Sequence, residues 1–320
     1  MALGDSKKIV YAAAAGNLFI VVTKFAAAAI TGSSAMFSEG VHSVVDTGNQ
    51  FLLLYGLKRA AGRPDKQHPL GYGREIYFWS FVVAVLLFVF GAGVSIFQGV
   101  MHVRQPEPME HVTANYVVLA ISALIEGTTW FYAYKKFNRG RSVSIWRAVR
   151  RSKDPPAFLV LFEDSAALAG ILIAFLGIFL AEQLDMPVLD GVASIVIGLV
   201  LAATATWLSR ETKSLLIGEK ADEEVTASIV RLAESLDGIE AVNGVLAVHL
   251  APHQIVIAVS LEFSDGLQTP EIEQKVIELE RRIRRKHPEI RAVFVKPQTP
   301  GSFKETIRRR YGDQQAATGR

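Results

Sequence analysis

The residues with the most chemical potential stand together in Ser38-Glu39-Gly40-Val41-His42-Ser43-Val44-Val45-Asp46-Thr47-Gly48-Asn49-Gln50. His42 and Asp46 are four residues apart, so on a helix they share a face. Glu39 and Asn49 extend the same stripe at i−3 and i+7. The surrounding run, Ala35 to Leu57, is otherwise apolar and ends before Lys58 and Arg59. A second polar spot, Glu163-Asp164, interrupts a later apolar run. An ionisable group in hydrocarbon costs roughly 2.5–3.5 kcal/mol even on lenient insertion scales, so chains keep it for an ion, a proton or a substrate. One imidazole with two or three carboxylates suits Zn²⁺, and also Mn²⁺, Fe²⁺ or Co²⁺. Two adjacent acids point about 100° apart on a helix, so of Glu163 and Asp164 only one faces fully inward. The alternative is that both sit in an early turn after Pro155-Pro156, near water and the favourable dipole end.

Other polar spots carry less signal. Lys24 and Glu126 read as snorkelling or pairing within the bundle, Asp190 as a helix-start residue, and His102 and His111 as rim-loop residues.

These residues need helices to position them. The chain has 320 residues, half of them hydrophobic, a net charge of +3 and no cysteine, which excludes disulfides and thiolate zinc sites. Met1 to Lys8 does not read as a cleaved signal peptide. Crossing a bilayer takes about 20 apolar residues. Six segments qualify: Ile9–Ile30, Ala35–Leu57, Ile76–Met101, Thr113–Tyr134, Pro156–Ala181 and Pro187–Leu208. The connections after the first and fifth contain no Lys or Arg, and that after the third has only Arg104. Those after the second (Lys58, Arg59, Arg63, Lys66, Arg74) and fourth (Lys135 through Lys153) are basic, as are Lys7, Lys8, Arg210 and Lys213. The positive-inside rule then places both termini in the cytoplasm. The expected fold is an α-helical membrane protein with a six-helix transmembrane domain over residues 1–208.

Residues 209–299 change character. Ala221–Leu236 has helical spacing, Val242–Leu250 and Gln254–Phe263 read as a hairpin, and Arg291–Lys296 as a last strand. Thr269 is the expected N-cap of a helix that opens at Pro270 and ends before Pro288. This predicts a small cytoplasmic α+β domain able to pair edge to edge. Residues 300–320 read as a disordered basic tail.

The pattern Asp65-Lys66-Gln67-His68-Pro69-Leu70-Gly71-Tyr72-Gly73-Arg74-Glu75, following a span with H-x-x-x-D, resembles the cation diffusion facilitators. The likeness runs from about Lys7 to Pro297, and the H-S-x-x-D-T-x-N-Q and L-x-E-D pairing is most similar to a divergent branch that includes a mitochondrial zinc transporter. It implies a ferredoxin-like, metallochaperone-like C-terminal domain and a transport site of four ligands, two from span two and two from span five. His42, Asp46 and Asp164 match that set, while Val160 stands where the fourth belongs; Glu163 or Asn49 then completes the shell. Asp65 with His68, and His249 with His253, read as structural rather than metal-binding. The resemblance also pairs a basic residue before span three with an acid after span six, here Arg74 with Glu219.

The implied activity is proton-coupled antiport of a divalent cation, zinc first, out of the cytosol across a plasma (inner) membrane, by a homodimer. It involves no cofactor, no covalent chemistry and no nucleic acid; metal ions, protons and membrane lipid are the expected partners. The alternatives are an Mn²⁺, Fe²⁺ or Co²⁺ transporter of the same fold, or a non-transporting membrane adaptor with a degenerate metal site.

Overall fold

The computed structural model describes residues 18–138 and 152–312. Lys7, Lys8 and the basic residues of 139–151 lie outside them. The chain divides into two compact units, one running to Ala61 and resuming over Glu75–Lys213, the other formed by Gly62–Arg74 and the chain from Ser214.

In the first unit the helices are α1 (Leu18–Thr31), α2 (Ser34–Ala60), α3 (Glu75–Arg104), α4 (Val112–Asn138), α5 (Pro155–Gln183) and α6 (Val188–Ile217). Among the described residues, α3, α4, α5 and α6 are long and apolar enough to cross a membrane. Helix α2 is 27 residues long, but its polar stripe makes it less apolar than these four. A π-helical turn, Leu87–Ala92, interrupts α3.

Lipid supplies no hydrophobic drive between helices, so small residues and buried polar bonds hold such bundles together. Both devices are present. A Cβ on Gly99 of α3 would lie 2.7 Å from the Gly191 carbonyl oxygen of α6, and one on Gly170 of α5 would collide with the Glu39 carboxylate of α2. Ser38 of α2 and Ser194 of α6 meet oxygen to oxygen at 2.5 Å, and Ser194 donates on to the Ser95 carbonyl of α3 at 2.9 Å.

The start of α2 is fixed from another helix. Ser33 caps it, accepting from the Met36 amide at 3.1 Å. Asp190, in the first turn of α6, accepts from the Ser34 amide at 2.5 Å and from the Ser33 hydroxyl at 2.7 Å. A carboxylate at a helix N-terminus satisfies orphan amides and complements the dipole. Asp190 is therefore a helix-start residue twice over, within α6 and against α2.

In the second unit, α7 (Glu223–Glu234), β1 (Ile239–Ala251), β2 (Gln254–Phe263), α8 (Thr269–Lys286), β3 (Ile290–Pro297) and α9 (Pro300–Tyr311) follow in order. β1 pairs antiparallel with β2, and β2 pairs parallel with β3. Ile229, Leu236, Ile257, Val259, Leu261, Leu279 and Ile283 form a buried core between helices and sheet. Two expectations are corrected. The α8 cap is Gln268, one residue early, because its side chain and Glu271 form a reciprocal capping box. The stretch from Pro300 is not a disordered tail throughout: Pro300–Tyr311 is helical, while 313–320 lie outside the described residues. Thr299 caps α9 by accepting from the Ser302 amide at 3.3 Å. Phe303 lies over Gly244, where a Cβ would come within 2.6 Å of its ring.

Candidate cation site

Helices α1, α2, α4 and α5 enclose a cavity of about 450 Å³. Asp46 and Thr47 line it from α2, Asp164 and Val160 from α5, and Glu126 and Thr129 from α4. Asp164 is only 9% exposed, and its Oδ2 has no hydrogen-bond partner among the described residues. Val160, one turn before Asp164, presents an apolar wall where a fourth ligand would stand.

Of the five candidate ligands, Asp46, Asn49, Glu163 and Asp164 adjoin one another, with the Asp46 and Glu163 carboxyl groups also hydrogen-bonded, while His42 stands apart. Asp46 and Asp164 share the cavity. Asn49 and Glu163 are each 1% exposed and bond to each other, the Asn49 amide donating to Glu163 Oε1 at 2.9 Å. His42 is 1% exposed, does not line the cavity, and neither ring nitrogen has a hydrogen-bond partner among the described residues. Among those residues no three His, Asp or Glu side chains close into a metal-ligating cluster. The arrangement is an open acidic cavity with a polar layer beside it.

Lys24 and Glu126 do pair within the bundle. The Lys24 ammonium, fully buried, donates to Glu39 at 2.9 Å, to Ser43 at 2.9 Å and to Glu126 at 3.0 Å. Three donors meet three acceptors, which is how a buried ammonium is satisfied. Glu39 lies on the stripe of His42 and is held by Lys24, but unlike Glu126 it does not line the cavity. The sequence signal for this network was present, since an intramembrane Lys and Glu commonly pair.

In the second unit, Asp65 accepts from the amides of Gln67 at 2.9 Å and His68 at 2.7 Å, and from the Tyr72 hydroxyl at 2.6 Å. The Tyr72 bond, then those amides, hold its carboxyl below the usual carboxylate range. His68 packs against Tyr72 in a tilted arrangement, ring centroids 4.2 Å apart. This is a self-satisfied turn. Arg74 lies beside Gly218, its guanidinium 3.5 Å from where a Cβ on that glycine would stand, and so next to Glu219 in sequence. His249 is buried with Nδ1 3.3 Å from the Ala251 carbonyl, while His253 is exposed at the hairpin turn.

The profile of the cation efflux transmembrane domain matches residues 10–217, most of the chain and all of the helices that build the cavity. The chain belongs to the cation efflux family. Members of this family are membrane transporters of cations rather than enzymes, and they work without a cofactor. Within it, the chain is 31% identical over 265 residues to a mouse protein named "Proton-coupled zinc antiporter SLC30A9, mitochondrial", covering 82% of this chain and 47% of that protein. It is 32% identical over 218 residues to "Metal tolerance protein C4" of Arabidopsis thaliana, covering 67% of this chain and 48% of that one. An uncharacterized transporter of Methanocaldococcus jannaschii is 23% identical over 270 residues, covering 84% of this chain and 89% of its own length. The chain thus spans about half the length of the first two relatives.

Proposed function

We propose that this cation efflux protein exchanges a divalent metal ion, Zn²⁺ first, for protons across a membrane. The observation that carries the reading is that Asp46 and Asp164, from two different helices, line one cavity. Carboxylates bind metal only when ionised and imidazole only when neutral, so protons and metal compete for the same lone pairs. Protons arriving from the acidic side displace the ion there, and their release on the other side restores the site. His42, Asp46 and Asp164 are the proposed ligands, with Glu163 or Asn49 completing the shell. The names of the mouse and Arabidopsis relatives support a metal cargo.

We read six spans in this protein: the four long apolar helices α3 to α6 support that count directly, and the polar-striped α2 and the shorter apolar α1 are the proposed fifth and sixth. The Lys and Arg content of alternate connections in the sequence supports placing both termini in the cytosol, or on its equivalent side, of a plasma or inner membrane. The sheet unit, a ferredoxin-like domain over 209–299, serves homodimer formation.

Val160, and the lack of a closed ligand cluster among the described residues, favour a second reading, a non-transporting adaptor. Reconstituted liposomes separate the two. Uptake of Zn²⁺ under an imposed pH gradient supports transport, uptake of Mn²⁺, Fe²⁺ or Co²⁺ alone moves the cargo, and no uptake of any leaves the adaptor.

A further inference from the structure

Glu126 is the one acid of the cavity wall that comes from neither α2 nor α5. Its Oε1 accepts from Lys24 at 3.0 Å, and its Oε2 is buried without a hydrogen-bond partner among the described residues. Lys24 in turn is shared with Glu39 at 2.9 Å. One ammonium is thus shared by two carboxyl groups, and the Glu126 end of this network is on the cavity. Asp164, nine-tenths buried with an unpartnered Oδ2, faces the same space. Three carboxylates from three helices thus converge on a volume of about 450 Å³. They do not converge closely enough to ligate one ion directly. Each water occupies roughly 30 Å³, so the space holds an ion together with a full first shell of about six waters.

We propose that Glu126 is a third carboxylate of the cation path, forming with Asp46 and Asp164 a site that receives the divalent ion with its water shell in place. Lys24 holds Glu126 in the wall through Oε1, which keeps the carboxyl group beside the cavity and prevents it from closing on the ion. Capture is thereby separated from tight ligation: the hydrated ion is attracted first, and Asp46 and Asp164 replace its waters afterwards. This inference rests on the transport reading and extends it to a residue of α4.

The test is Glu126→Gln, whose amide oxygen still accepts from Lys24. Titration calorimetry of Zn²⁺ and Mn²⁺ into the full-length detergent-solubilised protein is combined with initial transport rates. The expected result is a KM raised by roughly 10–100-fold, the range seen when a metal's supporting groups are removed. The limiting rate changes much less, and the variant without metal still melts cooperatively as a folded protein. A wild-type KM and Kd in Glu126→Gln overturns the inference alone, since the wild type still binds and transports. A wild-type protein that binds no divalent ion overturns it together with the transport reading. If Glu126→Gln does not fold, Glu126→Asp keeps the charge opposite Lys24 and withdraws the carboxylate by one methylene. It is read the same way: a raised KM supports capture by Glu126, and an unchanged KM contradicts it.

Discussion

Asn49 donates to Glu163 at 2.9 Å across the contact between α2 and α5, and both side chains are buried. The bond joins the two helices that carry the proposed ligands, one turn from Asp46 on one side and one residue from Asp164 on the other. It occupies one Glu163 oxygen, so Glu163 acts as a strut for the site before it acts as a ligand.

Asn49→Leu removes the donor and leaves a buried carboxylate short of a partner, which costs about 1–3 kcal/mol. The expected outcome is a lower melting temperature in detergent. Glu163→Gln in the same background restores part of it, because the uncharged amide needs less compensation. An unchanged melting temperature in Asn49→Leu contradicts the strut.

Asp190 predicts a second loss of stability. It closes the first turn of α2 from α6, so Asp190→Ala exposes the Ser34 amide and Ser33 hydroxyl to an unmatched environment. Destabilisation of about 1–3 kcal/mol follows, with Asp190→Asn intermediate. Thermal unfolding of the three proteins measures the order.

How much of this was legible in the sequence differs by residue. The stripe of His42, Asp46 and Asn49 was legible because helical periodicity is local, and so was Asp190 at a helix start. The partition among the acids was not. Glu39 lies on the stripe, yet it is held by Lys24, 15 positions away, and Glu126 joins from 102 positions beyond Lys24. Periodicity says which residues share a face; it does not say which neighbouring helix that face meets. His42 is the clearest case, buried outside the cavity that Asp46 lines. Helix α9 shows the opposite error: its polar composition suggested disorder, although Thr299-Pro300 repeats the Thr-Pro signal at Thr269-Pro270, where a helix does start with its cap one residue earlier.

The α9 contact is testable by itself. Phe303→Ala removes the ring over Gly244, and the expected outcome is faster amide exchange along Pro300–Tyr311 with the β1–β2 pairing still protected. Protection unchanged in Phe303→Ala contradicts docking through this ring.

The loop before α3 carries a pH prediction. Tyr72 above all holds the Asp65 carboxyl below its ordinary value. A carboxyl lowered in the folded state adds stability that is present above its unfolded pKa, about 3.9, and is lost as pH falls through the folded value. The turn therefore persists into acid beyond the ordinary carboxylate range. Tyr72→Phe raises the Asp65 pKa toward that range, as read by carboxyl-labelled NMR titration, and an unshifted titration contradicts the assignment.

The central claim is that Asp46 and Asp164 act on one cation. Its most direct test is Zn²⁺ accumulation in liposomes with an acidic lumen, comparing wild type with Asp46→Ala and Asp164→Ala. Accumulation by the wild type, and none by either variant at equal folded amounts, is the predicted result. Wild-type rates in either variant would place the transport site elsewhere.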